Sequence, residues 1–137
     1  MRTIIFSFCL FATGLISCTK ENTPGNAEES LPTGTVLASG TFSSNAHPTS
    51  GTVKVIQTTE GKRFLVFENF RTDNGPDLDV WLSPNTSGNP YQAVGDLKAV
   101  TGNFFYELAA SVNYSANNRV LIWCEDFSIL FGNAVLQ

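Results

Sequence analysis

Between Thr35 and Gln137 no stretch of 11 residues sets its apolar side chains at helical spacing. Short runs there alternate every second residue or are apolar on both faces, and Gly, Pro, Asn and Asp separate them. Such a chain must bury itself through strands. Composition agrees: 11 Phe and 2 Trp accompany 11 Gly, 6 Pro and a single Met, which suits short aromatic strands and turns better than long helices. With 137 residues, 42% of them hydrophobic, there is material for one modest domain with its own core.

The pattern predicts strands at 35–42 and 51–58, the second alternating Val53 and Val55 with Thr52 and Lys54. The loop 43–50 between them carries His47-Pro48, and Glu60-Gly61 closes the next hairpin. Arg63 to Phe70 reads RFLVFENF, apolar on both faces, so this strand should be central and covered on both sides. After a turn at Asp73-Asn74-Gly75-Pro76, Leu78, Val80 and Leu82 alternate with Asp79, Trp81 and Ser83. That is a half-buried strand whose polar face looks at solvent or at a site. Pro84 to Pro90 reads as a loop, Phe104 to Leu108 as a strand, and Tyr114 to Asn118 as a turn. Arg119 to Cys124 is again apolar on both faces and should run through the core. Phe127, Ile129 and Phe131 continue this pattern to Gly132, after which 134–136 makes a last short strand. Seven to nine short strands predict an all-β fold, an antiparallel β-sandwich or partly closed barrel.

The N-terminus has a different character. Arg2 precedes the apolar run Ile4 to Ala12, too short for the roughly 20 residues of a membrane span and laid out like a secretory signal. It closes on Leu15-Ile16-Ser17-Cys18, which resembles a bacterial lipobox, and this makes 1–17 a lipoprotein signal peptide and Cys18 the lipidated first residue. Loss of Arg2 leaves 7 basic against 12 acidic residues, a charge of −5, on a protein held to a membrane by its acyl chains. The stretch 18–34, with three Glu and two Pro, reads as a flexible tether, and 35–137 as the folded domain. The expected location is the bacterial cell envelope, at the outer membrane, with the domain periplasmic or surface-exposed. Excess negative charge provides no basic surface for a phosphate backbone, so nucleic acid is not an expected partner.

The ordered set Gly40, Phe42, His47, Gly51, Phe70, Gly75-Pro76-Asp77-Leu78, Val80, Leu82, Gly95-Asp96-Leu97-Lys98, Gly102, Tyr106, Val120, Ile122-Trp123-Cys124, Phe127, Phe131-Gly132, Ala134 and Leu136 resembles the DM thirteen domain family. That family is associated with DOMON domains and occurs in bacterial lipoproteins. The resemblance implies an electron-transfer module whose redox role rests on the cysteine that maps onto Cys124. It therefore implies a redox partner protein, and a redox accessory more than an enzyme.

The residues themselves leave alternatives open. Cys124 is a redox thiol, a metal ligand, or a buried small hydrophobe in a non-catalytic binding module, since free cysteine is among the most buried residue types. The adjacent Glu125 and Asp126 disfavour a free thiolate by like-charge repulsion, an objection that coordination to a metal removes. His47, the only imidazole, would have to serve any hydrolytic triad or Cys/His pair, and a loop histidine is more often simply exposed. Asp77 and Asp79, two residues apart, fall on one face of a strand and are able to hold a hard cation or to work as an acid and base pair, or else only solvate that face, with Asp73 and Asp77 bonding turn amides. Convergence of His47, Asp77, Asp79 and Cys124 would make a mixed N/O/S metal site. No GxSxG, CxxC or HExxH motif occurs, and no sequence signal indicates a cofactor. Trp81, Phe105 and Tyr106 are candidates for an aromatic docking patch or for core packing.

Overall fold

The computed structural model describes residues 25–137; the segment 1–17 read as a signal peptide, Cys18 read as the lipidated residue, and the stretch read as tether as far as Pro24 lie outside the described residues. Nine strands follow in chain order: β1 (Asn26–Glu28), β2 (Thr35–Ser44), β3 (Ser50–Gln57), β4 (Arg63–Arg71), β5 (Leu78–Ser83), β6 (Gln92–Asp96), β7 (Thr101–Leu108), β8 (Arg119–Cys124) and β9 (Ile129–Val135). They form one curled sheet in the order β1-β7-β4-β3-β2-β9-β8-β5-β6, a half-barrel with no helix among the described residues. The expected all-β, partly closed architecture is the observed one.

β2 makes the curl. Its first part pairs with β3 as far as Thr41 opposite Thr52, and its last residues, Phe42 to Ser44, pair with β9. The two halves of the sheet therefore face each other, and inward side chains of β3, β4 and β7 (Val53, Val55, Leu65, Phe67, Phe104) meet those of β5, β8 and β9 (Val80, Leu82, Val120, Ile122, Phe131) in one core. Phe67 stacks on Phe104 at 4.7 Å and on Phe42 at 5.5 Å, while Phe70 meets all three edge-on. These offset and edge-to-face arrangements are the ones that aromatic quadrupoles favour. β4 sits between β7 and β3 with Leu65, Val66 and Phe67 all fully buried, as its two-faced pattern predicts.

Several local expectations are corrected. Residues 26–28, read as tether, form β1, which pairs in parallel with β7 and makes an otherwise antiparallel sheet mixed. β1 is mostly exposed, with only Ala27 half-buried against the core, and polar side chains do most to hold it. The Asn103 amide donates to Glu28, Thr101 donates to Asn26, and Lys98 Nζ reaches Glu29 at 3.2 Å. Gly102, at φ +114°, sits against the Ala27 carbonyl, where a Cβ would collide with it.

Glu125 to Ser128 is a tight turn and not part of a strand. It leaves Phe127 65% exposed at the tip of the β8–β9 hairpin, and β9 runs unbroken through Gly132. The outer face of β5 is not wholly solvated either, because the loop 84–91 folds over it and buries Trp81 and Ser83. Ser83 Oγ donates to the Pro90 carbonyl at 2.8 Å, which pins that loop.

Candidate functional site

The end of the half-barrel where β5 begins and β8 ends carries most of the chemistry-bearing side chains. Inward-facing positions of β8 are Val120, Ile122 and Cys124, so register places the Cys124 sulfur inside the core, where its exposure is 0%. Its thiol donates to the carbonyl of Pro76 at 3.0 Å, and the next backbone N–H, that of Glu125, donates to the carbonyl of Asp77 at 3.1 Å. Pro76 and Asp77 are themselves exposed. The thiol therefore lies one layer of backbone below the surface, under the connection 72–77 between β4 and β5.

That connection is held at three points. Thr72 is buried: its N–H donates to Val100 O at 2.9 Å and its hydroxyl bonds that of Thr49 at 3.0 Å. Asp73 hydrogen-bonds His47 Nδ1 at 3.0 Å. The His47 ring lies on Phe131, centroids 3.8 Å apart and 27° from parallel, and Phe131 is also the wall behind Gly75. At the far end, Asp77 has φ +51°, left-handed backbone that a side chain adopts at a cost.

Asp79 points the other way. It shares the outer face of β5 with Trp81, opposite Asp96 of β6 and opposite Trp123 of β8. Its carboxyl is pushed up to about 6, first by burial, then by a hydrogen bond to Glu125, then by the charges of Glu125, Asp77 and Asp96. Asp79 thus keeps its proton into mildly acidic solution. Asp96 and Glu125 escaped the sequence reading because they join Asp79 only through cross-strand register. The one signal on the chain was the placement of Glu125 directly after Cys124.

The sequence candidates consequently divide. Asp77 and Asp79 do come near each other, but His47 is spent on Asp73 and Cys124 faces inward to Pro76. Among the described residues no three His, Cys, Asp or Glu side chains form a group able to hold a metal ion.

The three aromatic candidates do not make one patch either. Tyr106 is a core residue that accepts from Lys98 N at 2.9 Å and donates to Asp96 O at 2.8 Å, and burial pushes its phenol above the ordinary range. Phe105 lies on the outer face against Phe64. Trp81 stacks on Trp123 at 5.0 Å and on Tyr91 at 3.7 Å, with Gly88 laid over both indoles; neither Tyr91 nor Gly88 was legible as part of this stack. A separate cleft of about 440 Å³, lined by Ser39, Thr41, Ser43, Thr52, Lys54 and Asn133 among others, includes none of the candidate residues.

Comparison with known proteins places this geometry in context. Residues 41–136, which include His47, the 72–77 connection and Cys124, match the model of one protein family, described as Electron transfer DM13. No curated protein and no solved structure matches the chain.

Proposed function

The chain belongs to the DM13 electron-transfer family, and from that premise we propose that it is an electron-transfer accessory, lipid-anchored through Cys18 in a bacterial cell envelope, whose Cys124 exchanges electrons with a partner protein. The observation that carries the reading is the family match over residues 41–136, most of the β domain. Within it, Cys124 is the one cysteine among the described residues, and thiols have accessible two-electron chemistry that the other side chains here lack. In the proposed mature protein Cys9 leaves with the signal and Cys18 is consumed as a thioether, so the second sulfur must come from the partner.

The step is a thiol–disulfide exchange. Cys124 loses its proton to solvent and attacks one sulfur of a partner disulfide; the S–S bond breaks, and its electron pair leaves on the other partner sulfur. A mixed disulfide results, in which the Cys124 sulfur is oxidised and the released partner sulfur is reduced. Capture of that species from cells, by acid quench and thiol blocking, tests the assignment: a mixed disulfide should form with the native chain and be lost in Cys124→Ala. Radiolabelled fatty acid should be incorporated by the native chain and not by Cys18→Ala.

Full burial of the sulfur favours a second reading, a non-catalytic β-domain that binds a ligand or protein while Cys124 only packs. Partner-dependent redox activity that survives Cys124→Ala would overturn the first reading; binding that Cys124→Ala leaves intact, with no mixed disulfide formed by the native chain, would favour the second.

A further inference from the structure

We propose that the 72–77 connection is a gate over Cys124, clipped shut by the His47–Asp73 hydrogen bond, and that the thiol becomes reachable when this strap opens while the sheet stays folded. The inference rests on the reading of Cys124 as the reacting thiol and gives that site its control.

The thiol is covered by a loop and not by the sheet. Leu78, where β5 begins, pairs directly with Cys124, so the strap is the chain that arrives over the sulfur just before pairing starts. Its two ends are pinned, Thr72 by Val100 and Thr49, Asp77 by the Glu125 N–H. Between them, hydrogen bonds to the rest of the domain come from His47 to Asp73 and from the thiol itself to Pro76, while Asn74 Oδ1 is turned back on the Gly75 N–H.

Each of these middle contacts is weak. The His47–Asp73 pair is solvent-exposed, and such pairs contribute little. The left-handed Asp77 adds a conformational cost that opening relieves. Set against strands whose Leu65, Val80 and Ile122 are fully buried, a short strap with this inventory opens at far lower free energy than the domain unfolds. His47 makes the clip more than a surface contact. Its loop is bonded to β9 through the Phe131 carbonyl, and its ring rests on the Phe131 side chain that also backs Gly75, so Phe131 supports both the clip and the wall.

The test is the rate of iodoacetamide modification of Cys124 in the full chain, resolved from other cysteines by peptide mapping, as a function of urea. A gate gives a rate that is independent of urea at low concentration and joins the global unfolding line only near the transition. Asp73→Asn and His47→Gln should each raise the low-urea rate about two- to fivefold, the range an exposed polar contact supports. Gly75→Ala should raise it as well, since its Cβ would stand 2.8 Å from Phe131 Cζ and push the strap outward. Lys54→Met, which removes the pair to Glu68 on the outer face of β3 and β4, should leave the low-urea rate unchanged.

A rate that follows global unfolding at every urea concentration overturns the gate, and this native-chain profile decides even where a variant fails to fold. So does a low-urea rate that none of the three strap variants alters. Redox activity retained by Cys124→Ala would instead refute the thiol reading and leave the strap's opening intact, so the two failures are distinguishable.

Discussion

The Cys124 thiol donates a 3.0 Å hydrogen bond to the backbone carbonyl of Pro76, an exposed residue 48 positions earlier in the chain. The contact ties the last residue of β8 to the turn that precedes β5. It also explains how a cysteine can be wholly buried and still lie next to solvent.

Cys124→Ala should lower stability by about 1–2 kcal/mol, because it removes packed sulfur from the core and leaves the Pro76 carbonyl without its donor. Urea denaturation of the variant and the native chain gives the difference. Coincident midpoints would mean that the sulfur contributes nothing to packing.

The Asp79 carboxyl, held up at about 6 against 3.8 in the unfolded chain, binds its proton more tightly when folded. Its contribution to stability is therefore fully present below pH ~4, falls as pH rises from ~4 to ~6, and is absent above that range. Asp79→Asn should accordingly stabilise the domain most at neutral pH relative to the native chain, with the advantage shrinking toward pH ~4. Thermal midpoints of both across this window check it, and a difference that is constant with pH would refute it. Glu125→Gln should move the carboxyl titration of Asp79 downward, as followed by NMR.

Tyr106→Phe removes one hydroxyl that bonds Lys98 N and Asp96 O, the tie by which β7 reaches across to the end of β6. The expected loss is about 1–2 kcal/mol, from two polar groups left partly unpaired. A change in urea midpoint smaller than measurement error would show that solvent replaces the phenol without cost.

Gly102→Val places a branched side chain at φ +114° and against the Ala27 carbonyl. The parallel strand β1 should detach while the rest of the sheet holds. Hydrogen exchange reads this directly, through loss of protection at the Glu29 amide, which donates to Asn103 O, with the amides of β4 and β8 unchanged. Retained protection at Glu29 would show that β1 tolerates the clash.

Much of the strand pattern was legible because period-2 burial is a local property. RFLVFENF and RVLIWC declare strands covered on both faces, and both occupy interior positions of the sheet. Phe127 misled for the same reason. Its spacing with Ile129 and Phe131 continues an alternation, yet Ser128 adopts a left-handed φ of +50° and turns the chain. β1 was hidden because it is short, mostly polar and held by Thr101 and Asn103, with Lys98 on the adjoining Glu29, all far along the chain. At the candidate site, alternation places Asp79 opposite in face to Leu78 and Val80. It says nothing of which carboxylates stand across from it.

Sequence alone therefore determined the all-β class, the two-faced strands and the candidate thiol, since side-chain alternation and turn chemistry act over a few residues. The parallel pairing of β1, the His47–Asp73 clip, the carboxylate neighbours of Asp79 and the sealing of Cys124 beneath Pro76 were decided only by tertiary structure. Each depends on register between strands distant in sequence, and register is set by the packing of the whole core.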